Sequence, residues 1–243
     1  MAEISIEERL RFIEEKNNQL EHEINRLKAI NEIQNLMGRY EAIHNNSEMA
    51  KSAELFAQHT PDTWAELGTW GRFEGIEAIR KLFDSMEAHL PGEHGKEGLM
   101  FWHDLATPII EVAGDDKTAK ATWRSPGHET RPRDGKLTAH WCWGTYAMDF
   151  VKEDGEWKIW HFRWFRLFIT PFDTSWVERP MDKEITTLPE AKVFTRERED
   201  HPDIYHRPYF PDVVQKSIPP APKPYASWTE KDVGWYLKPT ERP

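Results

Sequence analysis

Residues 137–169 constrain this chain more than any other stretch: LTAHWCWGTYAMDF, then VKEDGE, then WKIWHFRWFRLFI. Two long aromatic runs flank Asp154-Gly155, a dipeptide whose residues accept the positive φ angles of a tight hairpin turn. Trp141, Trp143, Trp157, Trp160 and Trp164 fall within it, with His140, Tyr146, His161 and Arg163 interleaved, so any ligand is expected to lie against this ribbon. Strands of about 14 residues would extend nearly ~50 Å at ~3.3 Å per residue, so the sheet must bend strongly, and Gly144 is a natural place for the bend. Alternation puts His161 and Arg163 on one face with Trp157 and Ile159, opposite Lys158. An inward arginine needs an acid or an anionic ligand beside it, and Glu66 is the candidate acid. His140, Cys142 and Tyr146 form the other class from Trp141 and Trp143, and a bulge at Gly144 would reverse the phase beyond it.

A length of 243 residues with 38% apolar content suits one domain with appendages. The formal charge of −10 opposes binding to a phosphate backbone, so no nucleic-acid partner is expected. Cys142 is the only cysteine, which rules out an intrachain disulfide and a cysteine-based zinc pattern. The N-terminal residues lack the basic start and apolar run of a signal peptide, and no segment has membrane-spanning character, so a cytoplasmic location without membrane association is expected. Twelve tryptophans fit either an aromatic core or a Trp-lined pocket for a flat apolar ligand.

Ser5-Ile6-Glu7-Glu8 has the form of a capping box that opens a helix. Ile6, Leu10, Ile13, Asn17, Leu20, Ile24, Leu27 and Asn31 then recur at alternating spacings of four and three. This is a heptad seam with Asn17 and Asn31 in the a class, and residues 1–27 read as a coiled-coil-like extension. An amphipathic helix lying on its own domain is the alternative. Ile30, Ile33, Met37 and Tyr40 continue on a broader face, and Asn45-Asn46-Ser47 ends the helix. A second helix is expected over 48–59, a strand pair around 63–75, a third helix over 76–89, a strand over 100–113 paired with 118–125, and a loop over 126–136. Residues 28–169 form the domain. From 170 to 243 the chain holds twelve of its 17 prolines among scattered aromatics, which predicts an extended arm wrapped on its own domain or on a neighbour.

This order of elements resembles the NTF2-like superfamily in its SnoaL-like branch, most tellingly in GRFEGIEAIRKLF over 71–83 and in the terminal DGEWKI hairpin. The resemblance implies an α+β fold: a strongly bent antiparallel sheet wrapped around three helices as a cone with a deep pocket. Its members include cofactor-free dehydratases, isomerases, cyclases and non-catalytic binding proteins. The catalytic likeness is to scytalone dehydratase and similar lyases, which use a histidine early on the first long strand and another just after the second. His103 and His128 occupy those places. Tyr40 takes the place of a tyrosine near the end of the first core helix, where the accompanying acid is replaced by His44-Asn45. Arg163 loosely matches an arginine that bile-acid dehydratase relatives carry on the last strand.

Imidazole exchanges protons near neutral pH, so His103 is the expected base if its face is the concave one, and otherwise a hydrogen-bonded core histidine. His128 follows Pro126-Gly127 at a strand end, where it either covers a pocket mouth or is a solvated loop histidine. Tyr40 and His44, four residues apart, share a helix face and could polarise a carbonyl or protonate a leaving hydroxyl. Trp64, Trp70, Trp123, Tyr146 and His161 are the expected substrate-binding walls. No His pair has metal-ligand spacing, and no phosphate loop or nucleophile elbow is present, so neither metal nor cofactor is expected. These residues suggest a cofactor-independent lyase that removes a proton from an aromatic or polycyclic small molecule and expels water or another small fragment. The alternatives are a non-catalytic small-molecule-binding protein and an enzyme of the polyketide-cyclase or ketosteroid-isomerase type. The seam and the arm together suggest a homo-oligomer.

Overall fold

In the computed structural model, residues 5–67, 71–89, 95–133, 136–180, 208–212, 214–215, 219–232 and 234–235 are described. The capping box starts helix α1 (Ile6–Asn45): the Ser5 N–H donates to Glu8 Oε2 at 2.9 Å, and the Glu8 N–H donates to Ser5 Oγ at 3.2 Å. The helix then runs 40 residues without a break, so one rod carries both the heptad seam and the first core helix. Ala29, Ile33, Leu36, Met37 and Tyr40 are buried, while Leu10, Ile13, Leu20, Ile24 and Leu27 are exposed. The seam therefore does not lie on its own domain. The helix leans on that domain through His22 instead, whose Nδ1 is 3.0 Å from Asp116 in the 114–117 turn. No helix among the described residues is long and apolar enough to cross a membrane.

The second expected helix is a shorter 3-10 turn, Met49–Leu55. It stops because the backbone at Phe56 becomes extended and joins the sheet edge: Ala57 N–H donates to the Ile159 carbonyl at 2.8 Å. Met49, Ala53, Phe56 and Ala57 are buried. Helix α2 (Ile76–His89) packs Ile79, Leu82, Phe83 and Met86 into the same core.

Eight strands make one sheet: β1 (Trp64–Leu67), β2 (Arg72–Glu74), β3 (Met100–His103), β4 (Ile109–Val112), β5 (Thr118–Ser125), β6 (Gly127–Arg133), β7 (Lys136–Glu153) and β8 (Glu156–Pro171). The order is β2-β1-β8-β7-β5-β4, with β6 pairing the first part of β7 and β3 pairing β6. All neighbours are antiparallel except β1 and β8. At the β7–β8 turn Asp154 has φ 51° and Gly155 φ 84°, the double positive φ that suits a two-residue hairpin loop. Two expectations are corrected here. The strand over 100–113 is broken into β3 and β4, with Pro108, which lacks an N–H for the ladder, in the gap. The loop over 126–136 is mostly β6, separated from β5 by Pro126.

The long hairpin decides which side chains face the helices. Strand β7 keeps its alternation, sending Cys142, Tyr146, Met148 and Phe150 inward. Strand β8 carries two extra residues. Phe150 pairs with Ile159 and Asp149 with His161, leaving Trp160 over, and Gly144 pairs with Arg166 and Trp143 with Phe168, leaving Leu167 over. Trp157 and Ile159 therefore share the inner face with Phe162 and Trp164, while His161 and Arg163 point outward. The bulge thus lies on β8 opposite Gly144, and the phase of β7 never reverses.

Described segments of the chain's own proline-rich arm pack on the outer face. Gly114 and Asp115 N–H groups donate to the Tyr225 and Ala226 carbonyls, the Tyr209 N–H donates to the Leu167 carbonyl, and Trp176 stacks on Phe168. Beneath the arm lies a buried polar layer: Arg163 meets Glu66 at 3.0 Å, Lys120 meets Asp232, and Trp235 Nε1 donates to Asp149 at 2.6 Å. His161 is stacked between Trp64 and Trp160, with Nδ1 2.8 Å from Asp149 and Nε2 2.9 Å from the Asp62 carbonyl. Burial opposes charging this imidazole, but its hydrogen bonds to Asp149 and Asp62 outweigh that and raise its pKa. A raised folded-state pKa gives stability that is complete below the unfolded value of ~6.5 and is lost as pH rises through the folded value. The thermal midpoint is therefore expected to fall between pH 6 and pH 9, and His161→Gln should flatten that fall in a calorimetric pH series.

Candidate active site

Between the inner face of the sheet and the helices lies a cavity offering about 50 Å³ to water-sized occupants. The last turns of α1 supply Tyr40 and His44, β3 supplies Phe101 and His103, and β6 supplies Glu129 and Arg131. Tyr146, Trp164 and Arg166 enter from the long hairpin, with Met49, Leu67 and Met86 completing the wall. The end of α1 sets the position of β3: Asn45 Oδ1 accepts the His103 N–H at 2.9 Å, and Glu41 Oε1 accepts the Leu105 N–H at 3.2 Å. The helix that carries the phenol is thereby fastened to the strand that carries the imidazole.

His103 Nε2 lies 3.0 Å from Glu129 Oε1, and Glu129 Oε2 accepts from Arg131 Nε at 2.6 Å. Burial alone would push the Glu129 carboxyl up, yet Arg131 and His103 hold it well below its ordinary value, so it is a permanent anion behind the imidazole. The His44 ring stands nearly perpendicular to His103 at 5.1 Å. Burial and the neighbouring His103 lower the His44 pKa to about 3, which keeps it neutral at physiological pH. Tyr40 stacks on His44 and meets Tyr146 edge-on at 6.1 Å. Burial raises both phenols, so each stays protonated and able to donate. The site thus combines one imidazole backed by an anion with two phenolic proton donors.

Two glycines make this packing possible. A Cβ on Gly127 would sit 2.5 Å from His103 Nδ1 and 2.7 Å from the Cys142 carbonyl, so only glycine lets the imidazole lie against β6. A Cβ on Gly144 would sit 2.6 Å from both the Trp164 indole and the Phe165 carbonyl. His103, Glu129 and Cys142 have ligand atoms within 4.8 Å of one another, the spacing a metal ion needs. They suit one poorly, because Arg131 holds the second Glu129 oxygen and burial raises the Cys142 thiol far from its metal-binding thiolate form.

Of the residues singled out in the sequence, Tyr40, His44, His103 and Tyr146 meet at the cavity. His128 does not: it neighbours Glu129 on β6, points to the other face and packs on Trp141 at 4.7 Å. Arg163, His161 and Trp64 are turned to the outer face by the extra residue at Trp160. Trp123 packs edge-on against Phe150 in the core, away from the cavity lining. Trp70 lies outside the described residues. Glu129, Arg131 and Arg166 carry charge into the cavity and were not anticipated. Glu129 and Arg131 alternate with His128 and Thr130 on a strand, a period hidden within 126–136 by two prolines and five charged residues that read as a loop.

The model of the SnoaL-like domain family matches residues 25–163. Among solved structures, a protein provisionally assigned as a scytalone dehydratase from Novosphingobium aromaticivorans is 15% identical, with a TM-score of 0.50 over 62% of this chain and 92% of its own. LinA is 13% identical, with a TM-score of 0.52 over 63% of this chain and 96% of its own. A hexachlorocyclohexane dehydrochlorinase of LinA type 3 from Novosphingobium barchaimii is 14% identical, with a TM-score of 0.48 over 63% of this chain and 96% of its own. At such identities the likeness is one of fold. No curated protein matches the chain in sequence.

Gly127→Ala should destabilise the chain by about 1–3 kcal/mol through forced overpacking beneath His103. Denaturant titration measures that loss, and a change below ~0.5 kcal/mol would show that His103 is free to move aside.

Proposed function

The chain belongs to the SnoaL-like domain family, and from that premise we propose that it is a cofactor-independent lyase in which His103 abstracts a proton from a small aromatic-type substrate. The observation that supports this most is the buried His103–Glu129 pair facing two protonated phenols. Glu129 holds Nε2, and Nδ1, packed beside Gly127 and without a hydrogen-bond partner among the described residues, is the nitrogen left to take a proton once the ring swings from Gly127 toward the cavity. The substrate C–H bond breaks toward Nδ1, its electron pair forms a carbon–carbon double bond, and the neighbouring carbon–oxygen bond breaks. The departing oxygen takes a proton from Tyr40 or Tyr146 and leaves as water, and the imidazolium proton restores the phenol. Glu129 compensates the transient positive charge on the ring, while neutral His44 borders it without adding repulsion.

The neighbour assigned as a scytalone dehydratase bears a name that denotes loss of water, which supports the reaction class by analogy of fold. The cavity sharpens the substrate. At about 50 Å³ it is smaller than the ~150 Å³ that accommodates benzene, so a one-ring compound already requires the flexible Met49 and Met86 side chains to shift, and a polycyclic one is disfavoured. Arg163 and His128 have no part in this scheme, because both lie on the far side of their strands.

A panel of one-ring β-hydroxy ketones, followed by the ultraviolet absorbance of the conjugated product, tests the reaction. His103→Ala should lower the rate by about 10²–10⁴-fold, the usual contribution of one positioned general base, and a loss under tenfold would remove His103 from that role.

The exposed seam of α1 supports association between copies of this chain. Described arm segments such as those of Trp176 and Tyr225 pack on their own sheet, whereas the apolar seam of the helix is exposed. Asn17 and Asn31 at a positions suit pairing with a second identical helix, where each amide faces its own copy. Light scattering is expected to give a multiple of the 28.7 kDa chain mass, and Leu20→Glu with Ile24→Glu should return the single-chain value.

A further inference from the structure

Four cationic side chains are buried in the described structure: Lys120, Arg131, Arg163 and Arg166. Three have an acid beside them, Asp232 for Lys120, Glu129 for Arg131 and Glu66 for Arg163. Arg166 has none among the described residues. It is 8% exposed, its guanidinium lies 5.1 Å from the Trp164 ring centre, and its Nε has no hydrogen-bond acceptor there. A guanidinium cannot escape by losing its proton, so an unmatched one in a closed site is costly until a negative charge arrives.

The rest of the cavity leans the same way. Arg131 uses Nε on Glu129, but its Nη1 is buried without an acceptor, and so is Trp164 Nε1. Indole and guanidinium nitrogens only donate. Glu129, the one carboxylate among the described lining residues, has both oxygens engaged by His103 and Arg131. The lining therefore holds two guanidiniums against one carboxylate, with a surplus of donors that nothing in the described residues answers. Phe101, Leu67, Met49 and Met86 supply apolar wall around these donors, which suits an organic body more than a bare inorganic ion.

We infer that this cavity takes a small organic carboxylate, whose anionic group accepts hydrogen bonds from Arg166 and whose apolar body lies against the aromatic wall. The planar fork of a guanidinium matches the two oxygens of a carboxylate and holds the ligand in one orientation. As a substrate class this rests on the lyase reading of the same cavity, whereas the binding of the carboxylate is tested apart from turnover. Arg166 is then the residue that separates acids from their neutral analogues.

The test uses the full chain, with benzoate, acetate, benzamide, phosphate and chloride as probes at constant ionic strength, read by calorimetric titration and thermal shift. Benzoate should bind and raise the melting temperature, and benzamide should bind at least tenfold more weakly. Arg166→Gln should weaken benzoate at least tenfold while leaving the unliganded melting temperature equal or higher, since a buried unmatched charge has been removed. Arg166→Lys, which keeps the charge without the fork, should fall between the two and covers the case in which the glutamine variant does not fold. Equal binding of benzamide, undiminished benzoate binding in both variants, binding of phosphate or chloride as tight as benzoate, or no binding of either carboxylate would each overturn the inference. His103→Ala should still bind benzoate. Carboxylate binding that depends on Arg166, with no turnover of any substrate, would sink the lyase reading and leave this one standing.

Discussion

Strand side chains alternate, so a single unpaired residue exchanges the two faces of everything beyond it, and this molecule depends on where β8 places two of them. Trp160 and Leu167 are the residues left over when β8 pairs with an uninterrupted β7. Between them Phe162, Trp164 and Arg166 face the helices, and His161, Arg163 and Phe165 face the arm. Without the first bulge, Arg163 would stand among apolar helix residues and Trp164 would leave the cavity. The chemistry of both faces follows from the register of this one pair of strands.

The two faces handle buried charge by different rules. Under the arm each buried cation meets an acid within the same chain, and His161 is clasped by two acids and two indoles. Such pairs contribute little net stability over apolar packing, but losing one partner costs about 3–5 kcal/mol, so they fix the arm in one place. The inner face joins neutral His44, two protonated phenols, one anion and an excess of donors. The first arrangement is closed and structural, whereas the second has hydrogen-bonding capacity left for a ligand.

Much of the fold was legible in the sequence because it rests on local signals. Ser5-x-x-Glu8 opens α1, Asp154-Gly155 turns the hairpin, and the apolar spacing over 76–89 gives α2. Tyr40 and His103 could be found through the family resemblance, and His44 shares a helix face with Tyr40 by its short-range spacing of four residues. What stayed hidden depends on pairing between distant segments. A bulge leaves no mark in composition, so Arg163 and His161 were placed on the wrong face while Arg166, three residues from Arg163, went unremarked. Glu129 and Arg131 sit among charged residues beside a proline, and their burial is understandable only once β3 brings His103 across to them. Trp64 was read as pocket wall because it is aromatic, yet its parallel pairing with His161 turns it outward.

The unbroken length of α1 ties two faces together by counting. Ile24 of the exposed seam and Tyr40 of the cavity are sixteen positions apart on one helix, and at 3.6 residues per turn that separation is about 160° of rotation. The seam and the phenol therefore point almost opposite ways, one from the domain and one into it. Inserting or deleting a single residue between them would turn one against the other by about 100°. The stretch from Ile24 to Tyr40 is thus a spacer whose residue number, more than its composition, is under constraint.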